Sequence, residues 1–404
     1  MHRANAFAAA FQPALAEKLN AFLRSSRSAA LSNTFHQLHV VIGNEACDAD
    51  SMVSSLIYAF FRGHSHEIST GSTDPPRTVY LPVMSVDRDQ FRLRCETNAL
   101  FDAAHIDVDA LVFQNEIDLP AIHATQQLKL TLTDHNKLKR GYSSLESAVT
   151  SILDHHEDLG SHEQVTGSHR RIAFEKTERG GNVLAGSCCT LIAEEIIASG
   201  TAIDPLVATL LVAVILLDNM NMDPKMKKGT PRDVAMVDAL LPHALIERTP
   251  LYDWLVLEKY NPANWAAFSF GNCLQYDYKQ FESAGVSYGC SSILVDLPSF
   301  WAAGGGGTSA LALLESHRVS QELAFVVVQS MIHSGPRRQL LVYAKDPDLH
   351  AALKAHLDNV GVLQLAPLDV HSGVHAFEQH NVALSRKQLV PLLDAFLKQL
   401  PSPL

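Results

Sequence analysis

Ser151-Ile152-Leu153-Asp154-His155-His156-Glu157-Asp158 sets two apolar residues directly before an Asp-His-His triplet. A short buried strand that ends in acid and imidazole can present metal ligands at the edge of a sheet. Three further segments have the same form. Leu38 to Ile42 runs into Gly43-Asn44-Glu45-Ala46-Cys47-Asp48-Ala49-Asp50-Ser51. Leu128 to Thr133 ends at Asp134-His135-Asn136, and Leu210 to Leu217 ends at Asp218-Asn219. In a parallel α/β sheet the carboxyl ends of all strands lie on one edge, and ligands bind there. Four such ends place Asp48, Asp50, Asp134, His155 and Asp218 around one point. Carboxylate oxygens with one or two imidazoles suit Mg²⁺ or Mn²⁺, and O/N ligands also accept Co²⁺. That many carboxylates can hold and bridge two divalent cations.

The rest of the chain bounds what such a site serves. Its 404 residues predict more than one domain and a core large enough to bury charged ligands. With 32 basic and 43 acidic residues the net charge is −11, which argues against general binding to nucleic acid or a membrane surface. A polyanionic substrate then needs a local basic track. The six cysteines contain no Cys-x-x-Cys pair, so neither a zinc ribbon nor a disulfide framework is indicated. This favours a reducing compartment, and the cytoplasm is the expected location. No apolar run reaches the ~18 residues of a membrane span. The longest, Val207 to Leu217, fits a buried helix or strand. No segment points to an obligate protein partner.

Along the chain, helices and short buried strands alternate up to about residue 260, which implies a parallel sheet covered by helices on both faces. Phe7, Phe11, Leu15, Leu19 and Phe22 predict an amphipathic helix whose start Pro13 shifts or kinks. Ser51 to Phe60 reads as a helix with Ser51 as its cap, and Gly63 to Arg77 as a polar loop. Gly186-Ser187-Cys188-Cys189-Thr190 opens a helix over Leu191 to Ser199; its free N–H groups suit either a phosphate or an ordinary cap. Asn261 to Asn264 reads as an inter-domain connection. Strands are expected at Ser291 to Leu297, Leu323 to Gln329 and Gln339 to Tyr343. Helices are expected at Pro347 to Leu357, capped by Asp346, and at Arg386 to Gln399, with Pro391 as a late start or kink. Gly304 to Gly307 reads as linker, Ser334-Gly335-Pro336 as a turn before Arg337-Arg338. His317, His333, His350, His356, His371, His375 and His380 read as surface or packing groups.

In this order the four segments resemble the DHH phosphoesterase superfamily, over nearly the whole chain. Asp134 falls on its second motif, Asp154-His155-His156 on the name-giving one and Asp218 on the fourth. The first motif often reads His-x-x-x-Asp-x-Asp-Ser; here Asn44 stands where that His would be. Asn within Gly43-Asn44-Glu45, Asp134-His135-Asn136 and Lys228-Gly229-Thr230-Pro231-Arg232-Asp233 are similar to the eukaryotic exopolyphosphatase branch. Asp277-Tyr278-Lys279-Gln280-Phe281 and Ser385-Arg386-Lys387 resemble substrate-binding elements shared by family II inorganic pyrophosphatases, exopolyphosphatases and prune-like proteins. The Gly-Gly-Gly-His element of the nuclease branch is not matched, since Gly304 to Thr308 lacks the His.

The resemblance implies an α/β fold: a parallel-sheet DHH phosphoesterase domain (1–260) and a smaller α/β DHH-associated domain (261–404), with the active site in the cleft between them. It implies metal ligation by Asp48, Asp50, Asp134, His155 and Asp218, with Asp154 orienting His155. His156 would face the phosphate as donor or acid, and His135 and Asp154 join it in the catalytic set. Asn44, Lys279, Arg386 and Lys387 would bind substrate; Arg in particular presents a fork that matches phosphate oxygens. The activity implied is exopolyphosphatase: metal-dependent, processive release of orthophosphate from the ends of inorganic polyphosphate. Inorganic pyrophosphatase, a cyclic-nucleotide phosphodiesterase of the same fold, and a prune-like scaffold with little catalysis stay open as alternatives.

Overall fold

A computed structural model describes residues 10–70, 78–177, 180–226, 228–332 and 337–400. The chain divides into two compact units, Met1–Lys259 and Tyr260–Leu404.

The first unit is built on six parallel strands: β1 (Gln37–Ile42), β2 (Thr78–Met84), β3 (Val112–Phe113), β4 (Leu128–Thr133), β5 (Val149–Asp154) and β6 (Arg170–Ile172). Their order is β3-β2-β1-β4-β5-β6. The chain builds outward from β1 to β3, then returns to lay β4 on the other side of β1. The boundary between β1 and β4 is therefore the switch point at which open α/β sheets bind ligands. A small hairpin, β7 (Phe174–Thr177) and β8 (Gly180–Val183), follows.

The α-helices among the described residues of this unit are α1 (Pro13–Leu31), α2 (Ala49–Thr70), α3 (Cys95–Ala103), α4 (Leu119–Ala124), α5 (Cys188–Ala198), α6 (Pro205–Asp218), α7 (Pro231–Leu240) and α8 (Arg248–Lys259). Successive strand residues point to opposite faces, and both faces are covered. Leu38, Val40 and Ile42 of β1 enter one core with Leu130, Leu132 and Ile152. Val41 enters the other, with Met52 and Val53 of α2 and the apolar side of α5 and α6.

The sequence reading needs correction at several places here. The apolar run ending at Asp218, set beside the strand ends and left open as helix or strand, is helix α6: Asp204 caps it by accepting from the N–H groups of Leu206 and Val207, and Pro205 takes the first turn. Every side chain from Leu206 to Leu217 is buried, which explains a helix without a polar face. The polar stretch Gly63–Thr70 continues α2 rather than forming a loop, and 71–77 lie outside the described residues. Ser51 is not the cap of α2; Asp48 is, accepting from Ser51 N at 3.1 Å. Pro13 sets the start of α1, and Phe7 lies outside the described residues.

The second unit has the order β13-β14-β12-β11-β10-β9. Its strands are β9 (Tyr278–Ser283), β10 (Val286–Ile293), β11 (Phe325–Ile332), β12 (Arg337–Ala344), β13 (Leu365–Pro367) and β14 (His375–Gln379). Only β10 and β11 pair in parallel among the described strands of this sheet. Its helices are α9 (Pro262–Ala266), α10 (Phe270–Tyr276), α11 (Leu297–Ala303), α12 (Gly307–Ser320), α13 (Pro347–Asn359) and α14 (Arg386–Leu397). Asp346 caps α13 as expected. Asn261–Asn264 is not a bare connection but the capped start of α9. The strand expected at Ser291–Leu297 lies earlier, because Asp296 caps α11 and Leu297 already belongs to it. The glycine run is a tight turn between α11 and α12, with φ of 82° at Gly305 and 67° at Gly306. Residues 333–336, which include His333 and the turn before Arg337, lie outside the described residues. Among the described residues no helix is long and apolar enough to cross a membrane.

Candidate metal centre

The loops that follow β1, β4 and β5 meet at the switch point. Asp134, His155 and His156 each bring a ligand atom within 4.8 Å of the others. Asp134 follows β4 with φ of 63°. That left-handed conformation is uncommon for a residue with a side chain, although Asp tolerates it better than most, and such strain clusters at functional sites. Its backbone is tied to β5, N–H to Leu153 O at 2.9 Å. Oδ2 of its carboxylate is gripped by two donors, Asn44 Nδ2 at 2.6 Å and Ser51 Oγ at 2.7 Å. Oδ1 faces His155 Nε2 at 3.1 Å and His156 Nδ1 at 3.6 Å.

Asn44 is buried and both ends of its amide are engaged, since Oδ1 accepts from Ala46 N at 2.9 Å and Cys47 N at 3.3 Å. It was expected among the substrate-binding groups; here it aims Asp134 and shapes the loop. Arg94, itself buried, donates to the carbonyls of Ala46 and Cys47 and so latches that loop from outside, and Ser85 Oγ donates to Asn44 O. Gly43 is required by close approach: a Cβ there would lie 2.5 Å from Ser51 Cβ.

His155 Nδ1 lies 3.0 Å from the carbonyl of Ala185, so it carries the proton and donates. Nε2 faces Asp134 Oδ1 at 3.1 Å and Asp50 Oδ2 at 3.7 Å. Groups that converge in this way need a proton or a cation between them. Asp154 does not orient His155, contrary to the sequence reading. Its Oδ1 accepts from the N–H groups of His155 (2.7 Å) and His156 (3.2 Å) and from His156 Nδ1 (2.8 Å). The residue it aims is His156, because the tight turn after β5 brings that ring back over the carboxylate. Asn136 Nδ2 donates to its other oxygen at 2.5 Å. Burial opposes ionisation of Asp154, but His156, His155 and the Asn136 amide outweigh it and hold the carboxyl well below the usual range.

Asp50, in the first turn of α2, points at the N-terminus of α5. Its carboxylate accepts from Ser187 Oγ at 2.8 Å, Cys188 N at 2.6 Å and Cys189 N at 2.9 Å. The helix opening read as a possible phosphate cradle therefore holds a carboxylate of the same chain. Burial and the nearby Asp134 and Asp48 push the Asp50 carboxyl up to about 6, with His155 opposing. Asp218, at the C-terminal end of α6, is raised well above the usual range by burial, then by Asp50, Asp48 and Asp134, with Lys259 opposing. The negative end of a helix adds to that penalty. These acids repel one another. Asp48 itself is half-buried at the cap of α2. His135 sits beside the cluster with Nδ1 2.9 Å from Thr133 O.

Lys279, Arg386 and Lys387 all belong to the second unit. Lys279 is on β9 opposite Cys290, and Lys387 is exposed. Arg386 is held by Asp277: Nη1 donates to its carbonyl at 2.7 Å and Nη2 to its carboxylate at 2.6 Å.

The sequence reading missed the supports. Asn136 was visible beside Asp134, but nothing in the pattern showed that it would hold Asp154. Asp233 is fully buried; it accepts from Gly186 N, Thr190 Oγ1 and Thr230 and so fixes the loop that holds Asp50. After Asp218 the chain takes an unforeseen left-handed turn, with φ of 49°, 55° and 55° at Met220, Asn221 and Met222. Such a turn costs roughly 1–2 kcal/mol per residue that has a side chain.

Residues 262–396 match the DHHA2 domain family. Over 371 residues the chain is 32% identical to exopolyphosphatase PRUNE1 of Homo sapiens, covering 89% of this chain and 76% of that one. It is 27% identical over 415 residues to a Schizosaccharomyces pombe protein assigned as an exopolyphosphatase, covering 95% of this chain and 100% of the other. A crystal structure from Methanococcus jannaschii, assigned to the family II inorganic pyrophosphatases, shares the fold with a TM-score of 0.59 at 17% identity, covering 89% of this chain and 99% of that one. The chain therefore belongs to the DHH phosphoesterase superfamily, in the branch of the exopolyphosphatases and family II inorganic pyrophosphatases.

Proposed function

We propose that this protein is an exopolyphosphatase that hydrolyses the terminal phosphoanhydride bonds of inorganic polyphosphate and releases orthophosphate. Two divalent cations, Mg²⁺ or Mn²⁺, would be held among Asp48, Asp50, Asp134, His155 and Asp218. The observation that carries the reading is the placement of His155 Nε2, 3.1 Å from Asp134 Oδ1 and 3.7 Å from Asp50 Oδ2. The donor set fits: hard oxygens with imidazole nitrogen suit these cations, and the mutual repulsion of Asp50, Asp134 and Asp218 is what a cation removes. The names of the human and fission-yeast relatives support the choice of polyphosphate.

When bound, such cations neutralise charge on phosphate oxygens and lower the pKa of water. The side chains do the rest. Asp154 fixes His156 by its Nδ1–H, so Nε2 is the atom left to exchange a proton with a substrate oxygen. Asn44 and Ser51 restrain Oδ2 of Asp134, and the N-terminus of α5 restrains Asp50, so neither carboxylate must reorganise during reaction. Binding of polyphosphate oxygens by Lys279, Arg386 and Lys387 rests on their chemistry; Arg386 is preset by Asp277. The six free cysteines suit a reducing compartment, the cytoplasm in this proposal.

The test is orthophosphate release from long-chain polyphosphate and from pyrophosphate side by side, with Mg²⁺, Mn²⁺ or chelator. Fast, chelator-sensitive release from the polymer with little from pyrophosphate is expected. Preference for pyrophosphate would move the chain to the neighbouring branch. No release from either, with the protein folded and metal-bound, would end the proposal and turn attention to cyclic nucleotides or scaffolding.

A further inference from the structure

Asp218 ends α6, and the chain leaves it through Met220, Asn221 and Met222, all at positive φ and none of them glycine. A turn of that hand persists only where its surroundings over-determine it. Within the turn, Met222 N donates to Asn219 O at 2.7 Å and Asp223 N to Met220 O at 3.2 Å. Met222 packs against the core and beside Gly229, and the constraint on the central residue of the turn is Arg248, the first residue of α8. Its Nε donates to Asn221 Oδ1 at 2.8 Å and its Nη2 to Asn221 O at 2.5 Å. Two arms of one guanidinium therefore grip the central residue of the turn, by side chain and by backbone.

The turn also seats its neighbour. Asn219 is fully buried, and its Nδ2 donates to Ile215 O at 2.9 Å, which stops α6 at Asp218. Its Oδ1 is turned against Gly186, where a Cβ would come within 1.8 Å of it. Gly186 leads directly into Ser187, Cys188 and Cys189, which hold Asp50. One turn thus closes the helix that carries Asp218 and wedges Asn219 against the loop that aims Asp50.

We propose that Arg248 is a positioning residue: by pinning Asn221 in the left-handed turn it sets Asp218 relative to Asp50. The inference rests on the reading of Asp218 as a metal ligand. Without the guanidinium the turn relaxes toward right-handed φ, Asn219 withdraws from Gly186, and a cation shared by the two acids binds less well.

Mn²⁺ binding to the full chain, measured by titration calorimetry, tests this with Arg248→Met, Arg248→Met/Asn221→Gly, Asp218→Asn and Arg248→Met/Asp218→Asn. Thermal unfolding of the metal-free proteins is followed in parallel. Arg248→Met keeps the apolar stem, and a loss of about ten- to a hundredfold in affinity is expected, as for other groups that orient a ligand. Asn221→Gly restores most of it, because glycine takes positive φ without a clamp. In the Asp218→Asn background Arg248→Met causes no further loss. A fall in melting temperature with Mn²⁺ affinity unchanged would overturn the proposal and leave the turn a purely structural element. Should Arg248→Met not fold, Arg248→Lys, with one donor kept, must give an intermediate affinity, and wild-type affinity would overturn the proposal. Unchanged Mn²⁺ binding in Asp218→Asn alone would sink the ligand reading itself, whatever Arg248 does.

Discussion

The end of β5 and the end of α6 each present an acid, and the two are treated in opposite ways. Asp154 receives three donors from His155 and His156 and a fourth from Asn136. It is held ionised despite burial. Asp218 lies at the negative end of a helix, among Asp48, Asp50 and Asp134, and its carboxyl is driven upward. A carboxylate whose charge is already answered within the chain makes a good frame for other groups and a poor cation seat. One whose charge is unanswered is the reverse. Asp50 and Asp134 lie between the two: each accepts hydrogen bonds from within the chain, and each still adds to the repulsion at Asp218.

The largest effect is expected at the acid between the two regions. Asp134→Ala removes the oxygen that faces both histidines, and orthophosphate release from polyphosphate falls roughly a thousandfold, on the scale of losing one preorganised electrostatic group. Asp154→Asn leaves the cation seats and loosens His156. Its activity drops about ten- to a hundredfold, as when other orienting partners of ligand residues are changed, and the pH profile moves with it. A neutral outcome at Asp154 would break the comparison, since the frame would then aim nothing.

Stability sharpens the contrast, because the same change of acid to amide must act with opposite sign. Asp218→Asn removes repulsion and raises the melting temperature of the metal-free protein, at roughly 2–4 °C per kcal/mol relieved, while the rise produced by Mn²⁺ shrinks. Asp154→Asn lowers the metal-free value. A fall in both would show that Asp218 is not strained by its neighbours.

The smallest effect concerns two half-buried histidines. Burial holds His317 down at about 4, and burial with His375 does the same for His350. A histidine whose folded pKa is depressed leaves the unfolded chain binding more protons. Stability is then full above pH ~6.5 and is lost as pH falls toward 4. Melting curves at pH 7 and pH 5 in chelator should differ, and His317→Gln should narrow the gap.

The strand-end half of the site was legible in the sequence. Short apolar runs with Asp or His at their ends mark β1, β4 and β5, and parallel strands leave few ways to arrange those ends. Asp218 was singled out, but its element stayed open between helix and strand, because a wholly buried helix has no periodicity to separate it from a strand; Asp204-Pro205 at its start was the available signal. Gly63–Thr70 was hidden for a related reason, lacking an apolar stripe. The partner of Asp154 could not be read, since which histidine it aims depends on the turn after β5. Asp233 stood within a quoted motif, but its role, like that of Arg248, could not be read, because their partners, Gly186 and Asn221, lie 47 and 27 residues away and no local pattern links them.

The central claim, that Asp218 seats a cation and Asp154 frames His156 instead, is tested most directly by counting bound Mn²⁺ in the wild type, Asp218→Asn and Asp154→Asn. The account predicts two ions per chain in the wild type, fewer in Asp218→Asn, and two with weaker affinity in Asp154→Asn. Loss of an ion from Asp154→Asn with none lost from Asp218→Asn would contradict it.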